Sequence, residues 1–131
     1  MIKVPTLTGL GGHVKNEQVA LEYGKPLTVG RSRKCDVSLR RSEIYRKMKP
    51  DQREKDVALK TVSSQHFKIT MFNLGSIEIV NMSENGTTVD GKAITRVIIT
   101  DVSQKPHEIR FGAKETFRLE VREHTKLPEM L

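Results

Sequence analysis

Thr61-Val62-Ser63-Ser64-Gln65-His66-Phe67 opens a run in which every second residue is apolar. Phe67, Ile69 and Met71 point one way and Lys68 and Thr70 the other, the two-residue period of a half-buried strand. Downstream the rhythm repeats. Ile77 and Ile79 flank Glu78 after a turn at Asn73-Leu74-Gly75-Ser76. Asp90-Gly91 joins Thr87-Thr88-Val89 to Lys92-Ala93-Ile94 as a two-residue hairpin, since both turn positions favour positive φ. Val97 to Thr100 is β-branched. Ile109 and Phe111 lead through Gly112-Ala113-Lys114 to Phe117, Leu119 and Val121, with Arg118, Glu120 and Arg122 on the other face.

Upstream, an alternating piece from Ile2 to Leu10 ends in Gly11-Gly12. Val19, Leu21 and Tyr23 read as a strand before the Gly24-Lys25-Pro26 turn. Leu27-Thr28-Val29, broken by Gly30, is a second, and Cys35 to Leu39 a third. Short strands at this spacing, with no alternation of strand and helix, predict an all-β protein: a two-sheet β-sandwich of about eleven short strands. The organisation expected is an N-terminal strand or lead-in over 1–16, a sandwich over 17–122 and a C-terminal tail over 123–131.

One segment breaks the pattern. Residues 40–60 read as a basic insertion between strands, helical in part. Ser42 can cap a short helix that carries Ile44, Tyr45 and Met48 and ends at Pro50, and Asp51 to Lys55 is polar all round. Residues 31–60 hold eleven Lys/Arg against five Asp/Glu, so six of the chain's seven net positive charges lie there. A local basic field draws an anionic partner. No apolar run approaches the ~20 residues of a membrane span. The N-terminus lacks the apolar core of a secretory signal. The single cysteine, Cys35, cannot form an internal disulfide, which fits cytoplasm or nucleus, the nucleus favoured.

Three short motifs follow one another at strand ends: Val29-Gly30-Arg31-Ser32, then Ser63-Ser64-Gln65-His66, then Asn81-Met82-Ser83-Glu84-Asn85-Gly86-Thr87. In that order, with Phe67-Lys68-Ile69 after the histidine, they resemble the forkhead-associated (FHA) domain over roughly residues 17–122. The resemblance implies recognition loops gathered at one end of the sandwich, and phosphothreonine-peptide binding with no catalysis. It makes Arg31 the main phosphate ligand and Ser63 a hydroxyl donor to it. Asn85 becomes the hydrogen-bonding partner of the peptide backbone, with Glu84 beside it. Gly30, His66 and Gly86 become structural supports. A phosphate dianion wants such a guanidinium and hydroxyl donors.

Two positions depart from the family pattern. Ser64 stands where relatives commonly carry arginine, lysine or asparagine, reaching peptide backbone or phosphate. With a serine, that reach is absent, bridged by water, or supplied by Lys34 or Lys60. Glu84 stands where serine or threonine is common, and a carboxylate there repels a dianion unless it points outward or is paired. His66 has no orienting carboxylate in the motif and Ser63 no nucleophile elbow, so no catalytic pair is read here. The cysteine and histidines show no metal-ligand spacing, and no nucleotide loop is present, so no metal or cofactor is expected.

The function expected is phosphorylation-dependent protein–protein association in signalling, cell-cycle, DNA-damage or transcription pathways. The partner is a phosphothreonine protein or peptide, with acidic flanks drawn to the insertion and no membrane involved. The alternatives are a scaffold or dimerisation domain with a weakened phosphate site, and nucleic-acid binding through the insertion, which has only Tyr45 for base stacking.

Overall fold

The computed structural model describes residues 2–73 and 75–124. Eleven strands form two sheets. In chain order they are β1 (Ile2–Gly11), β2 (Gln18–Ala20), β3 (Leu27–Gly30), β4 (Val37–Ser38), β5 (Phe67–Asn73), β6 (Ser76–Asn81), β7 (Thr87–Val89), β8 (Lys92–Ile94), β9 (Arg96–Ile99), β10 (His107–Phe111) and β11 (Glu115–His124). One sheet runs β2-β1-β11-β10-β7-β8 and the other β4-β3-β5-β6-β9. All pairings are antiparallel except β3 with β4. The all-β two-sheet sandwich is therefore what the protein adopts.

The core lies between the inner faces, where alternation puts Leu7, Leu27, Phe67, Ile69, Ile77, Ile79, Ile109, Phe117 and Leu119 beyond solvent. Phe111 joins Phe67 edge-on at 5.1 Å and stacks with Phe117 at 6.0 Å. This aromatic cluster underlies the end of the sandwich where β3 stops and β5 starts. The Asp90-Gly91 hairpin has φ of 52° and 82°, the left-handed pair its residues favour.

Several local expectations changed. Leu21 and Tyr23 are not in a strand: β2 stops at Ala20, and Tyr23 makes only an isolated bridge to Met71. β4 is two residues long, because Leu39 to Arg41 turn into a 3-10 helix. The insertion holds three short helices, α1 (Glu43–Lys47), α2 (Pro50–Glu54) and α3 (Val57–Lys60). Ser42 caps α1, accepting the Tyr45 N–H at 3.3 Å. Pro50 does not end α1; it starts α2, where its missing N–H is no loss. The lead-in over 1–16 contributes β1, hydrogen-bonded between β2 and β11. Of the tail over 123–131, Glu123 and His124 belong to β11, opposite Lys3 and Ile2; the rest lies outside the described residues.

Candidate functional site

The sheet register brings the three motifs together. Val29 pairs with Phe67, and Phe67 with Asn81, so three neighbouring strands release their chains at one level. The loops then bond to each other. Arg31 N–H donates to the Ser63 carbonyl (3.0 Å) and Ser32 N–H to that of Ser64 (3.1 Å). Gly30 is needed for this approach, not for an unusual dihedral. A Cβ there would stand 2.3 Å from the Ser64 carbonyl oxygen and 2.9 Å from that of Ser63.

The loop of Arg31 is locked from both sides. The Asp36 carboxylate accepts the Thr28 N–H (2.9 Å) and hydroxyl (3.1 Å). Arg41, from the insertion, donates to the carbonyls of Cys35 and Asp36. The Cys35 thiol donates to the Ser64 carbonyl at 2.9 Å, and burial pushes its pKa up, so it is a packed hydrogen-bond donor and no nucleophile. With its backbone held, the half-buried Arg31 has a guanidinium without a protein partner among the described residues.

Ser63 is half-buried and meets Ser83, which is buried: their hydroxyl oxygens are 2.6 Å apart. Ser83 Oγ also accepts the Asn85 N–H at 3.1 Å. Asn81 ties the same loop, accepting from Ser83 N–H and the Thr87 hydroxyl and donating to the Ser83 carbonyl. Gly86 turns the loop at φ +83°. Asn85 is exposed, and its Nδ2 donates to the Thr61 carbonyl at 2.8 Å, which leaves its Oδ1 without a donor among the described residues.

His66 lies beneath these loops with no exposed surface. Its Nδ1 accepts the Ser63 N–H (3.0 Å), so Nε2 carries the proton and donates to the Gly86 carbonyl (2.8 Å). Both ring nitrogens are engaged with backbone in one neutral tautomer. Burial lowers its pKa, with the Gly86 bond opposing. The ring packs tilted on Phe111 at 5.3 Å. His66 joins the second motif to the third and has no free nitrogen for proton transfer.

Ser64 is exposed; its carbonyl holds the Arg31 loop and its hydroxyl makes no hydrogen bond within the described residues. Glu84 is exposed and unpaired among them. Lys34 and Lys60 are exposed with free ammonium groups among the described residues. The insertion's charge is partly spent on its own fold. Arg53 stacks over the Tyr45 ring at 4.5 Å and donates to the Tyr45 and Arg46 carbonyls, and Lys47 pairs with Glu43 at 2.8 Å.

Sequence reasoning singled out neither Thr61 nor Ser83 as more than loop residues. It also missed a buried cluster: His13 Nε2 lies 2.6 Å from Asp56 and its Nδ1 3.0 Å from Glu115. No spacing rule finds partners 43 and 102 residues apart. A cavity of about 400 Å³ opens between β8 and β9, lined by Ile94, Val97 and Ile99. His107 stands beside it between Asp90 and Asp101, whose remaining oxygens are taken by Glu108 N–H and Lys105, so its polar groups are already satisfied. Among the described residues no group of three His, Cys, Asp or Glu side chains is set to hold a metal.

A family model described as the FHA domain matches residues 27–112. The FHA domain of an Arabidopsis thaliana hypothetical protein superposes with TM-score 0.66 at 18% identity, covering 95% of this chain and 91% of that one. The FHA domain of CT664 from Chlamydia trachomatis gives 0.61 at 22%, with 92% and 99% covered. EmbR of Mycobacterium tuberculosis, solved with a low-affinity phosphopeptide, gives 0.63 at 20%, over 94% of this chain and 26% of that one. At these identities the likeness is one of fold. No curated protein matches the chain in sequence.

Proposed function

The chain belongs to the FHA family, an interaction module and not an enzyme family, and from that premise we propose that it binds phosphothreonine peptides to mediate phosphorylation-dependent protein–protein association. The observation that carries the reading is the bond between Arg31 N–H and the Ser63 carbonyl. It joins the loop that carries an unpaired guanidinium to the loop that carries a hydroxyl in a hydrogen-bonded chain.

The mechanism is a polarised relay of donors. Ser83 Oγ accepts from Asn85 N–H, and in the proposed orientation its own proton goes to Ser63 Oγ, 2.6 Å away, so that the Ser63 proton is the one offered to the ligand. Each bond strengthens the next, and the last is made to a phosphate oxygen. Arg31 supplies the charge-assisted bonds, which a dianion with three acceptors takes readily. Asn85 Oδ1 accepts a peptide N–H, its other end being anchored on Thr61. Exposure of Glu84 keeps its carboxylate in water, where repulsion at 4 Å is about 1 kcal/mol for each unit of phosphate charge. Arg46, Lys49, Lys55 and Lys60, all exposed, would favour acidic flanks. A reducing compartment, nucleus or cytoplasm, suits the one buried thiol, and signalling through phosphorylated partners suits the module.

Calorimetric titration with a phosphothreonine peptide library and its unphosphorylated counterparts tests the reading. Binding should require the phosphate. Equal affinity for both forms would refute it and leave the scaffold reading.

A further inference from the structure

The insertion carries most of the net charge, yet many of its polar contacts are made within the protein, and one path of them leads to Asn85. Asp56 caps α3, its Oδ1 accepting the Leu59 N–H at 3.0 Å. Its Oδ2 meets His13 Nε2 at 2.6 Å, while His13 Nδ1 meets Glu115 Oε2 at 3.0 Å. Glu115 Oε1 accepts the Val14 N–H at 3.1 Å. His13 and Glu115 are 2% and 1% exposed. At the other end of α3, the Thr61 hydroxyl donates to the Ala58 carbonyl (2.5 Å) and accepts the Ala113 N–H (2.7 Å). The Thr61 carbonyl receives Asn85 Nδ2 at 2.8 Å.

We propose that Thr61 is the positioning residue for the Asn85 amide, and that the Asp56–His13–Glu115 cluster holds it in place by docking α3 on the sandwich. What the amide grips rests on the phosphothreonine reading; the docking path itself does not. Carboxylates only accept, so both His13 nitrogens must donate, and the ring must carry both protons to hold the two elements together. Glu115 foremost, with Asp56, raises the His13 pKa against the opposing effect of burial. The Tyr45 ring of α1 lies 6.4 Å from the imidazole, with Arg53 of α2 stacked on that tyrosine, and Lys114 acts on Asp56 from the β10–β11 turn. Glu17, bonded through its N–H to the Val14 carbonyl, accepts the Glu43 N–H at the start of α1 at 2.8 Å. Losing the His13 proton leaves a lone pair facing a carboxylate, loosening α3 and with it Thr61. By linkage, a ligand that needs Asn85 in place must raise the pH at which His13 deprotonates.

The test is proton–nitrogen NMR and calorimetry on the full chain from pH 6.5 upward through the His13 titration. In that range a phosphothreonine is mostly a dianion, its second pKa being about 6, and His66, whose pKa lies below 6.5, is mostly neutral. The Asn85 side-chain amide resonances should move with the same midpoint as the His13 ring. Asn85 resonances that stay flat while His13 titrates would overturn the proposal. Affinity for a phosphothreonine peptide with alanine and acidic flanks should fall about 5-fold or more across the titration. Peptide binding should raise the His13 midpoint. Asp56→Asn, which keeps the α3 cap, should flatten the pH profile, and Thr61→Val should weaken binding with the Arg31 dependence intact. Affinity that is constant across the His13 titration would overturn the coupling. A wild-type protein blind to phosphorylation would remove the binding reading, while the Asn85 and His13 resonances still decide the docking path.

Discussion

The hydroxyls of Ser63 and Ser83 lie 2.6 Å apart, joining two loops that are twenty residues apart in the chain. Ser83 is buried and Ser63 half-buried, so of the two hydroxyls that of Ser63 is the one open to a ligand. Removing either hydroxyl interrupts one chain of bonds. Ser63→Ala and Ser83→Ala should each cost about 1–2 kcal/mol of phosphopeptide affinity, and the double variant should cost little more than either. A calorimetric double-mutant cycle checks this; additive losses would mean that the hydroxyls act independently.

Arg31 should separate binding from folding. Its backbone, not its guanidinium, holds the loops together, so Arg31→Ala should leave the melting temperature close to that of the wild type while weakening the phosphopeptide by about 2–5 kcal/mol. Arg31→Lys should recover only part of this, since an ammonium lacks the planar fork. Thermal melts beside calorimetry give both readings.

Gly30→Ala is expected to do the reverse. The new methyl would press on the carbonyls of Ser64 and Ser63, neither of which can yield without breaking the bonds to Ser32 and Arg31. Stability and affinity should fall together, the stability by about 1–3 kcal/mol as for an overpacked site. Urea denaturation measures the first and peptide titration the second.

His66 and His13, both buried, impose opposite pH limits on stability. His66 is held neutral, with its pKa below the unfolded value of 6.5. Its contribution is complete above that value and is lost as pH falls through the folded pKa. His13 is raised above 6.5, so its contribution is complete below that value and is lost as pH rises through its folded pKa. The denaturation midpoint should therefore pass through a maximum between the two. His66→Ala should remove the acid limb and, at neutral pH, cost about 1–3 kcal/mol for each of the two backbone groups it strands. His13→Gln should remove the alkaline limb.

Glu84→Thr should strengthen phosphopeptide binding by about 1 kcal/mol at low salt, with the gain shrinking as salt screens the exposed carboxylate. Titrations at two ionic strengths check it. An unchanged affinity would mean that Glu84 points well away from the phosphate.

What the sequence made legible was periodicity and local turn chemistry. Alternation from Phe67 to Met71 and from Phe117 to Val121 marks inward faces because each strand repeats every two residues. Asp90-Gly91 announced its own hairpin. Gly-Arg, Ser-x-x-His and Asn-Gly marked the loops. Illegible were the relationships that depend on register between distant strands. His13 gives no sign of Glu115 until β1 lies beside β11. Thr61 looks like a loop residue until β10 turns towards it. Pro50 misled because one residue type both stops a helix and starts one, and only the backbone of Met48, extended at ψ 142°, showed which it was.

The pairing of Ile2 with His124 places the two ends of the described chain side by side. The opposite end of β11, at Glu115, adjoins the turn that reaches Thr61 and the recognition loops. Ile2 and His124 therefore lie together at the pole of the sandwich away from those loops. A fold whose first and last described strands meet in this way can be joined to neighbouring sequence through that one pole, leaving the three loops at the other pole clear of the splice.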